Sequence, residues 1–184
     1  MSGGALLGPT DGWSLAPVAD WLFGAGRRVN DPVQLLDGLA QQLDQAGASI
    51  DRLAMMSRTL HPQYVGWSAF WTRAKGAWRL ALQHGANLGD AYLGSPVQFV
   101  HEQRQPYRLR IAARAAADEH ALVADLRHDG ITDYIALPMP FGREMTNVLT
   151  AATAAPGGFS DADIDRLTAL AALLSPFVEI IAVR

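Results

Sequence analysis

The sequence predicts an α+β domain: a central antiparallel sheet flanked by helices, with a long helix closing the chain. Three observations predict it. Apolar segments with strand character come in adjacent pairs, near residues 50–73 and again near 131–153, as hairpins do. Helical patterns flank and separate these pairs, which favours an antiparallel sheet over a parallel, helix-linked one. The final segment, GGFSDADIDRLTALAALLSPFVEIIAVR, carries a capped and strongly apolar helical pattern.

Each element has a local reason. A short helix is expected from about Pro17 to Phe23, ended by Gly24 and Gly26. In NDPVQLLDGLAQQLDQAG, Asp31 suits the N-cap, and Pro32 takes the first helical position, where its missing N–H costs nothing. Leu35, Leu36, Leu39, Leu43 and Ala46 form the apolar stripe, and Gly47 supplies the stop. IDRLAMMSRTL and YVGWSAFWTR read as strands separated by the turn HPQ. Alternation puts Val65, Trp67, Ala69 and Trp71 on one face of the second strand, with Gly66, Ser68, Phe70 and Thr72 opposite.

Residues 76–94 are punctuated by glycine and predict no single element. SPVQFVHEQRQ starts a short helix, with Ser95 as N-cap and Pro96 first. PYRLRIA reads as an exposed strand, Tyr107, Leu109 and Ile111 alternating against Arg108 and Arg110. DEHALVADLRHDG is a helix closed by Gly130. ITDYIALPMPF, GREM and TNVLTAATA form a hairpin. Pro138 and Pro140 share one parity and lack N–H donors, which suits a strand whose end lies unpaired.

The last helix opens with Ser160 as N-cap and Asp163 three residues on, a capping box, and its early aspartates complement the helix dipole. Ile164, Leu167, Leu170, Ala171, Leu174, Phe177, Val178 and Ile181 form an inward stripe at about 100° per residue. A second row, Ala169, Leu173, Pro176, Ile180 and Val183, steps by three and four on another face, the spacing a partner helix requires. The second row suits either a homodimer through Ala169, Leu173, Ile180 and Val183 or a helix simply buried on two sides. Pro176 is expected to kink or interrupt the helix. No stop signal follows Val183 and Arg184, as expected where a helix continues towards an output.

Composition narrows the function. The 184 residues suit one domain, divided by expectation into an N-terminal extension over 1–29 and a domain over 30–184. A hydrophobic fraction of 49% and a charged fraction of 18% describe a globular chain. Net charge is −3, without the basic stripe that nucleic-acid binding requires. No long apolar run and no signal-peptide pattern occur, so no membrane partner is expected and the cytoplasm is the expected location. The chain has no cysteine, which removes thiolate metal sites, cysteine nucleophiles and thioether-linked chromophores.

Two sets of segments carry a family resemblance. GITDYIALPMPF, followed by GGFSDADIDRLTALAALLSPFVE, resembles a GAF domain, in which a glycine-led strand with an LP step and a hairpin partner lead to a long C-terminal helix. DWLFGAGRRVNDPVQLLDGLAQQLDQAG, RTLHPQYVGWSAFWTR and AYLGSPVQFVHEQRQPYRLRI resemble the GAF-like N-terminal region of bacterial class III adenylate/guanylate cyclases. The resemblance implies a regulatory or sensory module in cyclic-nucleotide (cAMP) signalling, with catalysis in a separate domain and none assigned to this chain. The alternative is a free-standing ligand-binding or interaction domain acting on another signalling protein. The signature of cyclic-nucleotide-binding GAF domains is incomplete. Phe159 and Asp163 match its tail, but Ile164 stands where Glu would be and no Asn-Lys pair precedes it. Bilin-binding members and GAF-fold methionine sulfoxide reductases rely on cysteine, so neither chemistry is expected.

The remaining constellations predict no catalysis, no metal and no cofactor. His61, His84, His101, His120 and His128 show no paired ligand spacing. There is no G-x-S-x-G elbow, no G-x-G-x-x-G and no P-loop. Asp118–Glu119 and Asp161–Asp163 suit helix starts. Trp67, Phe70, Trp71, Trp78, Tyr92, Phe99 and Tyr134 could line a small-molecule pocket between the sheet and the middle helices, or simply pack the core. Tyr92, Phe99, Arg108 and Tyr134 are the candidate ligand-binding residues, with Arg108 as the polar handle.

Overall fold

Apolar residues on both parities of the central strands force this chain into layers, with helices against each side of one sheet. The computed structural model describes residues 12–58, 64–83, 92–111, 120–141 and 145–182. The order is α1 (Ala16–Phe23), a 3-10 turn (Gly26–Arg28), α2 (Pro32–Gln45), β1 (Arg52–Arg58), β2 (Tyr64–Thr72), β3 (Gly76–Gln83), α3 (Pro96–Gln103), β4 (Tyr107–Arg110), α4 (Ala121–His128), β5 (Asp133–Phe141), β6 (Met145–Thr153) and α5 (Asp161–Ala182). The six strands run β3-β2-β1-β6-β5-β4, every neighbouring pair antiparallel.

The helix starts follow their caps. Asp31 accepts from Gln34 N–H at 2.9 Å, and Ser95 Oγ accepts from Gln98 N–H at 3.1 Å. At α5 the capping box is complete: Ser160 Oγ accepts from Asp163 N–H at 3.2 Å, and Asp163 Oδ2 accepts from Ser160 N–H at 2.9 Å. The HPQ turn, residues 142–144 of GREM, Asp118–Glu119, His61, His84 and Val183 lie outside the described residues.

Two expectations change. Residues 76–83, predicted as no element, are β3, which pairs with β2 over Trp78↔Phe70 and Ala77↔Trp71. Its alternation is hard to read because Trp78 and Leu80, on one parity, stay 40% and 53% exposed at the sheet edge. Pro176 does not end α5, which runs unbroken from Asp161 to Ala182. The proline is exposed, and Ser175 Oγ donates to Pro140 O at 2.7 Å, anchoring that turn to β5. Pro138 and Pro140 lie past the reach of β4, whose register ends at Ala136, so no strand there needs their missing donors.

On one face of the sheet, α1, α2 and α5 cover Leu53, Met55, Ala69, Leu137 and Leu149. Val18 and Leu22 of α1 join this core, as do Leu167, Leu170, Leu174 and Val178 of α5. On the other face, α3 and α4 cover Ala136, Val148 and Ala152 with Val100, Val123 and Leu126.

A buried ionic hub joins the edge strand to the start of α5. Asp133, 1% exposed, accepts from Arg108 at 3.2 and 2.6 Å and from Phe159 N–H at 2.9 Å. Arg108 also donates to Phe159 O at 2.6 Å. Gly158 sits at φ +68°, and a Cβ there would lie 2.6 Å from Asp133 Oδ2. Gly158→Ala is therefore expected to destabilise by at least about 1–2 kcal/mol from the left-handed backbone alone. An unchanged denaturant midpoint would count against this.

Asn147 is fully buried, and neither its amide nitrogen nor its oxygen has a hydrogen-bond partner among the described residues. Removing an unsatisfied polar group of this kind relieves a desolvation cost of about 1–3 kcal/mol. Asn147→Leu is expected to raise the thermal midpoint, and a lower one would show that the amide is satisfied in solution.

Candidate functional site

The α3/α4 face of the sheet is incompletely filled, and the space left is a cavity of about 320 Å³. That is at the small end of the range for small-molecule sites, about 300–1,000 Å³. Its floor comes from alternate residues of the strands: Ala54 and Met56 of β1, Ser68 and Phe70 of β2, and Thr150 and Ala152 of β6. Tyr134 of β5 completes it. Leu122 and Leu126 of α4 close one side, with Ser95 and Val97 at the start of α3. The partly exposed Trp78 and Leu80 of edge strand β3 form its outer wall, where Trp78 stacks on Phe70 with centroids 5.6 Å apart and planes 22° apart.

The polar groups are few and mostly engaged. Tyr134 is hydrogen-bonded to Thr150. His120 caps α4: its Nδ1 accepts from Leu122 N–H at 3.1 Å. Ser95 Oγ is committed to capping α3. Arg52 pairs with Asp129 at 3.2 Å. Ser68 is 3% exposed, and its hydroxyl makes no hydrogen bond among the described residues.

Of the four candidate ligand-binding residues, Tyr92 and Tyr134 line this cavity, and Phe99 and Arg108 do not. Tyr92 reaches it with its hydroxyl 3.0 Å from His101 Nδ1. Phe99 turns to the outer side of α3, 37% exposed, edge-on to Tyr107 at 4.9 Å. Arg108 sits on the opposite face of the sheet, bound to Asp133, whose hydrogen bond is the first cause of its raised pKa. Parity explains this: Leu109 pairs with Tyr134 on the cavity side, so Arg108 points the other way. Ser68, Thr150, Arg52 and His120 were not singled out from sequence. The alternation of β2 already put Ser68 and Phe70 on one face, which was the available signal. Of the dimer-helix residues, Ala169 and Leu173 are half-covered by the core and Ile180 is 50% exposed. No group of His, Asp or Glu able to hold a metal occurs among the described residues.

Solved structures similar to this one include GAF domains and a methionine sulfoxide reductase of like fold. The GAF domain of a phosphoenolpyruvate-protein phosphotransferase from Coxiella burnetii is 16% identical, with 89% of this chain and 92% of that chain covered at a TM-score of 0.56. The GAF domain of a two-component sensor histidine kinase from Bacillus halodurans is 13% identical, covering 82% and 95% at 0.57. A type II free methionine-R-sulfoxide reductase from Thermoplasma acidophilum is 11% identical, covering 83% and 94% at 0.52. No protein-family model and no curated protein sequence matches. The fold is GAF-like, and at these identities the likeness is one of fold. Among the described residues, no helix is long and apolar enough to cross a membrane.

Burial pushes Tyr134 ionisation well above its ordinary value, outweighing the opposing effects of Thr150 and the Arg52 charge. The native state thus keeps a proton that the unfolded chain releases near pH 10, so the stability tied to it is complete below about pH 10 and is lost as pH rises further. In unfolding titrations, the native chain is expected to lose stability more steeply above that pH than Tyr134→Phe. Parallel curves would contradict it. At neutral pH the variant is expected to cost about 1 kcal/mol for the lost hydrogen bond.

Proposed function

We propose that this chain is a regulatory GAF-like module that reads a small molecule in the cavity and relays its occupancy through α5. In this reading residues 30–184 form the module, with 1–29 as an extension, and the chain itself catalyses nothing. The observation that carries it is the placement of Tyr134 and Asp133 on consecutive positions of β5. Tyr134 lines the cavity, and Asp133 holds the backbone of Phe159 just before α5. A ligand that shifts β5 therefore acts on the root of α5 without an intermediary. It biases that position only as far as it binds two arrangements unequally.

The setting we propose is a bacterial class III adenylate/guanylate cyclase, supported by the resemblance of the N-terminal and middle segments. There, paired α5 helices would set the relation of two catalytic domains, and interfaces of this kind tend to be bistable. The surface proposed for a second copy includes Leu173 and Ile180 on α5 and extends to Phe23 of α1, which is 54% exposed and packs edge-on to Phe177 at 5.6 Å. Continuation of the coding sequence beyond Arg184 into a domain with acidic metal ligands supports the cyclase setting; a stop codon there removes it.

Sedimentation of the purified chain is expected to show a dimer at micromolar concentration, with Leu173→Asp and Ile180→Asp each weakening association at least tenfold. A chain that stays monomeric at high micromolar concentration removes the dimerisation part and leaves the cavity reading in place.

A further inference from the structure

We infer that the ligand of this cavity is a neutral, planar aromatic molecule carrying a hydrogen-bonding group, and that phosphorylated or carboxylated ligands are excluded. This rests on the proposal above that the cavity is a ligand site, and it fixes the chemical class of that ligand.

Shape comes first. The Phe70–Trp78 stack gives one wall an extended flat face, and Ala54, Ala152 and Met56 leave a smooth apolar floor. A flat aromatic ring recovers the most contact on such surfaces, through stacking and burial together.

Charge comes second. The ionisable residues among those that line the cavity and are described are Arg52, Tyr92, His120, Asp125 and Tyr134. Arg52, their one permanent cation, already pairs with Asp129, and Asp125 adds a carboxylate. Summed over Arg52, Asp125 and Asp129, the formal charge is −1. Tyr134 is held neutral by burial. His120 is already engaged at Nδ1 by Leu122 N–H. Among the described residues, an anion entering this space would lose its hydration without gaining an uncommitted cation, and a buried unpaired charge is costly.

Hydrogen bonding comes third. Ser68 lines the cavity on the same strand face as Phe70, and no hydrogen bond of its hydroxyl occurs among the described residues. A hydroxyl lining the cavity beside an aromatic wall fits a ligand that donates or accepts one bond at the edge of its ring.

The test compares four probes built on one naphthalene ring: 2-naphthol, 2-methylnaphthalene, naphthalene-2-sulfonate and 2-naphthylmethylammonium. Binding is followed by calorimetry, with Leu122→Trp as a variant that fills the cavity from α4. We expect 2-naphthol to bind at least tenfold tighter than either charged probe, and to be lost in Leu122→Trp. Ser68→Ala should weaken 2-naphthol about fivefold while leaving 2-methylnaphthalene unchanged, the size expected of one hydrogen bond. Asp129→Asn, which frees Arg52, should strengthen naphthalene-2-sulfonate severalfold and leave 2-naphthol as it was. If a charged probe binds as tightly as 2-naphthol and is lost in Leu122→Trp, the cavity is a ligand site and the neutral-ligand inference falls. If no probe binds, or binding survives Leu122→Trp, both fall.

Discussion

Met55 faces Leu149 across β1 and β6, and one step along, Ala54 faces Thr150. The first pair belongs to the closed core under α1, α2 and α5, and the second to the floor of the cavity. This two-residue partition organises the molecule. Apolar side chains on one parity, among them Leu53, Met55 and Leu149, pack beneath the helices. Smaller or polar ones on the other parity, Ala54, Ser68, Thr150 and Ala152, leave room above the sheet. A register slip of one residue would exchange the two sets, burying Thr150 in the core and placing Leu149 in the cavity. The cavity is therefore as firmly specified as the core, because the same pairings fix both.

The same alternation connects the two sides. Asp133 and Tyr134 must point to opposite faces because they are consecutive in a strand. One is enclosed by Arg108 and Phe159 and the other meets the cavity. The Arg108–Asp133 pair carries the desolvation cost of buried charge, which is why its geometry is so complete. Asp133 accepts three hydrogen bonds, and Arg108 also donates to the Phe159 carbonyl. Such a hub contributes specificity of position. It fixes where α5 begins, relative to an edge strand that otherwise touches only β5 in the sheet.

What the sequence made legible follows from the range of the forces involved. Helix starts depend on three or four neighbouring residues, so Asp31–Pro32, Ser95–Pro96 and Ser160–Asp163 could be read directly, and their caps form as expected. The hairpin of β5 and β6 was equally plain. Strand β3 was not, because an edge strand with exposed Trp78 and Leu80 lacks the buried-versus-exposed contrast that marks a central one. The site was legible only in part. Alternation separated Arg108 from Leu109 and Ser68 from Trp67, but local pattern does not say which face of a sheet stays open. That choice depends on how closely α3 and α4 approach, a property of distant segments. Arg108 was thus assigned to the wrong side, and Ser68 passed unnoticed among larger neighbours.

Pro176 shows the same limit from the other direction. Locally it forbids a hydrogen bond to the carbonyl of Ala172, at a cost of about 3 kcal/mol in a helix interior. Yet α5 continues for six residues beyond it. Ala172 and Pro176 are both on the exposed side, where water can satisfy the freed carbonyl. On the inner side, Leu174 and Val178 are fully buried to either side of the gap, and Ser175 is tied to Pro140. Tertiary packing outweighs the local penalty, but the two do not cancel evenly along the helix. The segment before Pro176 is held by the core and by the Asp133 hub at its root. The last turn has Val178, the Phe23–Phe177 contact and half-exposed neighbours. The part of α5 before the proline is therefore the part packed most closely on the sheet, and the row containing Ile180 leaves the core beyond it.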